Sequence, residues 1–389
     1  MILKLALRNL WGAGVRTWLN AIVLSLSFFT IIWSQGVYHG MQVDATRNMI
    51  AMELGGGQYR HPDWDPYDPL TLPEAHGAIP APLQKLIVAD KAVALLLAQG
   101  TIYPDGRPQA VLLKGIAPEQ QILELPPIAP AAQPGQIPVM IGREMSESLE
   151  LGVGELLTLR WRDHTGAFDA REFLITTVFS SSVPTIDRGH IWLRLADLQV
   201  MLSAPGIATL VVVSPEMTGT QLETDWVFRS QDYLLADLRA MVRSKSAGAA
   251  IMYALLLFLA LIAVFDTQVL SLFRRRREMG TLMALGLTRG ALIRLFTLEG
   301  ALHGVLAGLL ALVYGWPIVY WTAVTGFALP QASQDFQFAI GDRLYPVYTL
   351  ELVLVTTLLV LVTVTIVSYL PTRRISHLNP VDALRGRRS

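Results

Sequence analysis

The stretch that decides the fold spans residues 274–311 and reads RRRREMGTLMALGLTRGALIRLFTLEGALHGVLAGLLA. Four consecutive arginines open it, and a mainly apolar run follows that continues to residue 325. An apolar run of about 20 residues is long enough to cross the hydrocarbon core of a bilayer as a helix. The stretch therefore predicts a short basic segment between two membrane-spanning helices, the second span at residues 247–273 and the third at residues 296–325.

Two further apolar runs lie outside this pair. Residues 17–43 carry no charge, and residues 349–370 form the last run. A cleaved signal peptide has an apolar region of roughly 7–15 residues followed by a small-residue cleavage site, and the first run has neither feature. The sequence therefore predicts a first span within residues 1–43 and a one-plus-three arrangement of four membrane helices.

Residues 44–246 separate the first span from the other three and have the composition of a globular domain. Alternating or short apolar runs predict strands at residues 110–113, 137–141, 157–162, 172–179 and 210–213. Helical patterns are predicted at residues 83–99, 143–151 and 221–244, the second of them ended by Gly152. Loops are predicted at residues 55–57 and 62–73, a hairpin turn at Asp163–Gly166, and a connector between two lobes at residues 126–138. This mixture predicts an α+β domain.

Basic residues are concentrated in three segments. Residues 1–17, 274–294 and 373–389 together contain 14 lysines and arginines and two acidic residues, whereas residues 44–246 contain 16 basic and 24 acidic residues. Cytoplasmic loops of membrane proteins carry an excess of lysine and arginine. We therefore expect both termini and the 274–294 segment in the cytoplasm, with residues 44–246 and the 326–348 loop on the outer side.

Motifs that carry chemistry are missing from the sequence. It contains no G-x-x-x-x-G-K-[ST] phosphate loop, no H-E-x-x-H pair, no G-x-S-x-G elbow and no cysteine. Nucleotide binding by a phosphate loop, thiolate metal ligation and disulfide formation are therefore excluded for this chain. We expect no catalytic, cofactor-binding or metal-binding residues, and any ATP has to bind to a partner chain.

Three acidic residues lie within or at the edges of the predicted spans, Asp266, Glu299 and Glu351, and His303 lies one turn after Glu299. Charged groups inside a bilayer are costly and often functional. A direct part in transport is one interpretation. The favoured interpretation is interfacial placement or a capping hydrogen bond, because Arg294 lies five residues before Glu299 and the Arg274 cluster lies eight residues after Asp266.

Glycines recur at four-residue spacing in the third span, at Gly300, Gly304 and Gly308. Small residues at this spacing lie on one helix face and allow another backbone to approach closely. The pattern predicts a helix-packing surface. The neighbour could be a helix of this chain or of a second chain.

The 274–311 stretch resembles the FtsX-type permease domain shared by the MacB, LolC/LolE and FtsX families. The residues that carry the resemblance are the basic cluster, the motif that follows it and the glycine-spaced helix with Glu299; the motif residues are Glu278, Gly280, Ala284, Leu285 and Gly286. Residues 371–385 resemble the cytoplasmic tail of these families, residues 3–20 their amphipathic N-terminal helix, and residues 137–179 the periplasmic core domain of MacB and LolC/LolE.

The resemblance implies a membrane protein with four transmembrane α-helices and an α+β extracytoplasmic domain of the MacB periplasmic-core type. It divides the chain into an N-terminal helix with the first span (1–43), a MacB-like core (44–246) and an FtsX-like permease domain (247–389). Residues 274–294 would be a cytoplasmic coupling segment, within which residues 278–292 look amphipathic. The residues predicted to couple to an ATPase are Arg277, Glu278, Gly280, Ala284, Leu285 and Gly286.

The function implied is that of a non-enzymatic permease subunit of a type VII ABC transporter in the bacterial inner membrane. A separate cytoplasmic ATPase would drive extraction or export of an amphiphile, with lipoprotein the leading substrate, by mechanotransmission. Expected partners are that ATPase, a second permease chain, membrane lipid and a periplasmic acceptor or adaptor protein, but no nucleic acid. The alternative is an FtsX-like transducer that activates a cell-wall hydrolase, although a 200-residue outer domain favours transport. A membrane receptor or enzyme without an ATPase is disfavoured by the 274–311 motif.

Overall fold

The computed structural model describes residues 14–103, 106–130, 135–181, 184–219, 222–327 and 343–375. These residues form two compact units. The helical unit contains the described residues up to Gly40, then Val242–Phe327, and those from Tyr345 onward. The strand-rich unit contains Met41–Met241 together with Arg343 and Leu344.

The helices are, in chain order, α1 (Val15–Met49), α2 (Ala81–Val88), α3 (Arg143–Leu149), α4 (Pro184–Gly189), α5 (Leu195–Met201), α6 (Gln231–Leu234), α7 (Ala236–Arg274), α8 (Arg276–Ala284), α9 (Arg289–Thr325) and α10 (Leu350–Ile375). A π-helical turn, Ile50–Leu54, follows α1 directly. The strands are β1 (Gly57–Arg60), β2 (Gly77–Ala78), β3 (Ala92–Ile102), β4 (Gln109–Ile116), β5 (Ile137–Gly142), β6 (Leu156–Arg162), β7 (Phe168–Phe179), β8 (His190–Arg194), β9 (Ile207–Ala208), β10 (Leu210–Val213) and β11 (Val227–Ser230).

Four of the described helices are long and apolar enough to cross a membrane: α1, α7, α9 and α10. Their outward faces carry exposed apolar side chains, such as Leu255, Phe258 and Leu259 on α7. Helix α1 packs on the others through a buried cluster that includes Leu24 and Phe28. It also makes polar contacts, because Thr267 Oγ1 donates to Asn20 Oδ1 (3.2 Å) and Thr356 Oγ1 donates to Gln35 Oε1 (2.7 Å).

Six strands of the strand-rich unit close into a ring in the order β3-β4-β8-β5-β7-β6, with β6 pairing back onto β3. Strand β3 has eleven residues, so its second half (Gly100–Ile102) pairs with β6 while its first half (Ala92–Leu95) pairs with β10. Strands β10, β1 and β11 extend the sheet from that first half. Closing a sheet on itself removes exposed strand edges. The sheet is continuous, so the prediction that residues 126–138 connect two lobes is wrong: this segment joins β4 to β5 of one sheet.

The predicted hairpin is present, with strands longer than expected. Strands β6 and β7 pair antiparallel from Leu156↔Leu174 to Arg162↔Phe168. The turn is closed by Asp163, whose Oδ1 accepts from the backbone N–H groups of Thr165 (2.9 Å) and Ala167 (2.8 Å). Aspartate is favoured in turns because its side chain can bond the backbone in this way.

Three local predictions in this unit are wrong in part. The 83–99 helix ends at Val88, and residues from Ala92 onward form β3. That run is rich in leucine and alanine, which are good helix formers, but it is buried between β4 and β10, and tertiary packing overrides propensity. The 221–244 segment contains strand β11 before α6 and α7 begin. Helix α3 is ended by Glu150 in the left-handed conformation (φ 54°), not by Gly152.

Candidate coupling site

The basic segment between α7 and α9 folds into a helix and a tight turn. Helix α8 begins two residues after α7 ends and runs to Ala284. Gly286 then adopts a φ of +94°, which glycine tolerates without strain. Thr288 caps α9, because its Oγ1 accepts from the N–H of Ala291 (3.3 Å). Helix α9 therefore begins at Arg289, so the predicted amphipathic stretch 278–292 is not one helix: it spans α8, this turn and the first residues of α9.

Helix α8 has two unlike faces. One face is buried with the end of α7 and the start of α9, in a cluster of Leu272, Met279, Leu292 and Phe296. The other face is exposed. At its C-terminal end the side chain of Leu285 is 80% exposed.

A buried ion pair fixes α8 to α9. Arg275, just before α8, donates from Nη1 to both carboxylate oxygens of Glu299 on α9, each at 3.1 Å. Its Nε donates to Glu278 of α8 at 2.8 Å, and its guanidinium lies 5.2 Å from the ring centre of Phe296. The side chain of Glu299 is 5% exposed. Arg275 thus joins α8 to α9.

The charges at this site favour an ionised arginine. Burial of the guanidinium lowers the pKa of Arg275, but hydrogen bonds and charge from Glu278 and Glu299 outweigh burial and raise that pKa above its ordinary value. Removing one partner of a buried ion pair leaves an uncompensated charge and costs about 3–5 kcal/mol. The pair therefore holds α8 in a defined position only while Arg275 and Glu299 are both present.

The six residues predicted to couple to an ATPase do not share one environment. Five are exposed: Arg277, Glu278, Ala284, Leu285 and Gly286. The sixth, Gly280, is buried. Their coupling role stays a prediction. Sequence reasoning missed Arg275 as the residue that positions this helix, although its spacing of three residues before Glu278 is typical of a helical ion pair.

Asp266, Glu299 and His303, all predicted to lie in membrane spans, do not lie in one cluster. Glu299 and His303 are both buried on α9, and His303 Nδ1 lies 2.9 Å from the backbone oxygen of Glu299. The partner of Glu299 is Arg275, whereas Arg294 is exposed. The interfacial placement favoured for Glu299 stays a prediction; its carboxylate is held by Arg275. Asp266 lies apart from this group, with its side chain exposed on α7.

The glycines of α9 have different neighbours. A Cβ atom on Gly300 would lie 2.1 Å from Ser368 Oγ, and one on Gly304 would lie 3.1 Å from a methyl carbon of Leu361, both on α10. The neighbour is thus a helix of the same chain. Gly308 has no such neighbour among the described residues, because a Cβ there would meet no heavy atom within 4 Å. A packing contact of Gly308 with a helix of a second chain stays a prediction.

Two glycines of α1 make close contacts that sequence reasoning missed. A Cβ atom on Gly40 would lie 2.2 Å from the backbone oxygen of Tyr345, and one on Gly36 would lie 2.1 Å from the ring of Tyr348. The N–H of Val347 donates to the oxygen of Gly36 at 3.0 Å. The G-x-x-x-G spacing of these two residues is the signal that could have found them.

The strand-rich unit contains a second buried ion pair. Lys114 on β4 is 3% exposed and donates from Nζ to Oε1 of Glu53 at 2.6 Å, and its ammonium lies 5.1 Å from the ring centre of Trp192. Burial raises the pKa of Glu53, but Lys114, His190 and Arg60 together lower it to about 2. Burial and the charge of Lys114 lower the pKa of His190 to about 3. The pair ties the turn after α1 to the sheet.

Comparison with known proteins identifies the helical part of the chain. Residues 250–380 match the family model of the FtsX-like permease C-terminal region. This region is therefore similar to FtsX-like permeases. The lipoprotein-releasing system transmembrane proteins LolC of Xylella fastidiosa strains 9a5c and Temecula1 are each 22% identical to this chain over 316 residues. The alignments cover 72% of this chain and 74% of each relative.

These matches confirm the resemblance to the FtsX and LolC type of ABC permease that the 274–311 stretch indicated. The match to the family model begins within α7 and includes α8, α9 and α10. The ion pair of Arg275 and Glu299 therefore lies inside the FtsX-like domain. The four apolar helices and the mixed α/β region of the chain fit a membrane permease.

Proposed function

We propose that this chain is the permease subunit of a bacterial inner-membrane ABC transporter that extracts or exports an amphiphile, with lipoprotein as the leading substrate. The membrane-permease assignment rests on the FtsX-like domain and the four apolar helices. The choice of lipoprotein rests on similarity to two proteins named as parts of a lipoprotein-releasing system. The strand-rich unit is the MacB-type periplasmic core in this proposal, and both termini are cytoplasmic by the positive-inside rule.

The observation that carries the coupling step is the exposed face of α8. Leu285 is 80% exposed at the end of a basic helix whose other face is buried. A short amphipathic helix with an exposed apolar residue is suited to a groove on a partner. The partner is a separate cytoplasmic ATPase, since the chain has no phosphate loop. ATP-driven movement of that subunit reaches α9 through Arg275 and Glu299, which join α8 to the membrane helices.

A second permease chain completes the transporter. The apolar faces of α7 and α9 carry exposed large side chains that lipid or a second chain covers, including Ile251, Phe258 and Trp316. Membrane lipid and a periplasmic acceptor or adaptor protein are further expected partners. No cofactor is assigned to the chain itself.

The test is affinity purification of the full-length chain from its native membrane, followed by mass spectrometry and an ATPase assay. We expect an ATPase subunit to copurify, together with a lipid-modified protein. The variant Leu285→Asp places a charge on the proposed docking surface and should reduce ATPase recovery at least tenfold. The matched control is Val153→Asp, because Val153 is 63% exposed in the strand-rich unit and has no part in docking.

Recovery of a cell-wall hydrolase with the ATPase, in place of a lipid-modified protein, would favour the transducer alternative over transport. Equal ATPase recovery with Leu285→Asp and with the wild-type chain would contradict docking through α8. No ATPase in any preparation would overturn the ABC assignment.

A further inference from the structure

A pocket of about 370 Å³ lies within the strand-rich unit, beside the outermost strand pair of the sheet. Its walls are the end of β1, the loop that follows β1, strand β11 and helix α6. The loop is tied down on one side, because the Tyr67 hydroxyl donates to the carboxylate of Asp237. Pockets that hold small ligands usually measure roughly 300–1,000 Å³.

Two arginines face this pocket from neighbouring strands. Gln58 of β1 is paired with Arg229 of β11, so Arg60, two residues further along β1, lies diagonally opposite Arg229 on the same face of the sheet. Both arginines line the pocket. Burial lowers the pKa of Arg60, the charge of Glu53 raises it in part, and the like charge of Arg229 lowers it further.

Each guanidinium is held in place by an aromatic ring. The guanidinium carbon of Arg60 lies 4.6 Å from the ring centre of Trp64, and that of Arg229 lies 4.5 Å from the ring centre of Tyr233. Arg60 Nε also donates to Gln58 Oε1 at 3.0 Å. Stacking fixes the plane of a guanidinium and leaves its other N–H groups free to bond an anion.

Two carboxylates, Asp63 and Asp65, also line the pocket, and neither forms an ion pair with the two arginines. Among the described residues, no carboxylate lies within 4.0 Å of a nitrogen of Arg60 or Arg229. Asp63 is near His61 (3.7 Å), and Asp65 accepts the N–H of Tyr67 (2.9 Å). The pocket thus presents two ordered guanidinium groups that form no ion pair within 4.0 Å in the described part of the chain, and the charge of Glu53 acts on Arg60 from a greater distance.

We propose that this pocket binds the phosphate group of a small ligand between Arg60 and Arg229. Two planar forks of N–H donors match a phosphate group, which accepts several charge-assisted hydrogen bonds at once. The rings of Trp64, Tyr67 and Tyr233 leave room for the organic part of a phosphate ester. The ligand is either a soluble phosphate ester or an anionic phospholipid headgroup, which share this chemistry. The proposal does not depend on the transport substrate.

The test is isothermal titration calorimetry on the full-length protein in a neutral detergent. The probes are glycerol 3-phosphate and short-chain dihexanoylphosphatidylglycerol. Binding of glycerol 3-phosphate identifies the ligand as a soluble phosphate ester. Binding of the phosphatidylglycerol alone identifies it as a phospholipid headgroup. Either result supports the proposed phosphate site. Arg229→Gln should weaken binding at least about tenfold, the loss expected for one strong charged contact. Arg229→Lys keeps the charge but loses the planar fork of N–H donors. Its affinity should lie between that of the wild-type protein and that of Arg229→Gln.

The matched control is Arg171→Gln, because Arg171 is 60% exposed and already pairs with Asp169. Its binding should equal that of the wild-type protein. Hydrogen exchange with and without ligand should show protection at residues 60–67 and 227–233. This distinguishes binding in the pocket from binding to the arginines of the 274–294 segment. Absence of binding by both probes, or binding that Arg229→Gln leaves unchanged, would overturn the proposal.

Discussion

Replacing Lys114 with methionine would isolate the charge of the buried pair in the strand-rich unit. Methionine fills nearly the volume of a lysine stem, so packing changes little. The substitution leaves the carboxylate of Glu53 without its partner at 2.6 Å. It also removes the cation that lies 5.1 Å from the ring centre of Trp192.

The magnitude follows from burial. Breaking a buried ion pair costs about 3–5 kcal/mol. Glu53 is 24% exposed, so water screens part of the loss and we take the lower end, about 3 kcal/mol. In a domain of about 150–250 residues, 1 kcal/mol shifts the melting temperature by roughly 2–4 °C. The expected decrease for Lys114→Met is therefore about 6–12 °C.

Thermal unfolding followed by tryptophan emission in detergent micelles measures this decrease. The pH dependence of the stability is a second test. The pKa of Glu53 is lowered from 4.5 to about 2, so its stabilising contribution is complete above about pH 4.5 and is lost as the pH falls towards 2. In Lys114→Met the largest cause of that lowering is gone, and the loss of stability below pH 4.5 should be smaller.

The double variant Glu53→Leu with Lys114→Met is the matched control. Replacing both members of a buried pair with apolar residues is often neutral, so the double variant should melt within a few degrees of the wild-type protein. A single variant that melts with the wild-type protein would refute the reasoning. So would a double variant that is as unstable as the single one.

Two predictions concern the helical unit. Gly304→Leu should separate α9 from α10 and lower the melting temperature. Gly308→Leu should be tolerated, because a Cβ at that position meets no described atom within 4 Å. Thermal unfolding of the two variants measures the difference. Arg275→Gln should leave Glu299 buried without its cation and reduce substrate-stimulated ATPase activity in proteoliposomes at least about tenfold. The matched control Arg294→Gln should have little effect, because Arg294 is exposed and is not among the predicted coupling residues. Equal melting of the two glycine variants, or equal activity of Arg275→Gln and the wild-type chain, would contradict these expectations.

The features that sequence could predict are those set by local pattern. The hairpin around Asp163 follows from alternation and turn chemistry. The apolar helices follow from uncharged length. Strand β3 could not be predicted from local pattern, because its run of alanine and leucine also suits a helix. Its pairing with β4, β6 and β10 determines that it is a strand.

The candidate site was predicted in its position but not in its contacts. The 274–311 stretch marked the basic helix between two apolar helices. The choice of Arg275 among four arginines depends on which one faces Glu299 after α7, α8 and α9 have packed, and that is a tertiary property. Gly308 shares the spacing of Gly304 but not its neighbour, because α10 passes close to one and not to the other.

Site-specific crosslinking from α8 tests the central claim most directly. The chain contains no cysteine, so Leu285→Cys introduces a single reactive thiol, and Val153→Cys gives a matched thiol in the strand-rich unit. In native membranes treated with a short bifunctional reagent, we expect Leu285→Cys to crosslink to a protein with a nucleotide-binding phosphate loop, and Val153→Cys not to do so. Crosslinking of that protein to Val153→Cys alone, or of no such protein to Leu285→Cys, would contradict a permease that meets its ATPase through this helix.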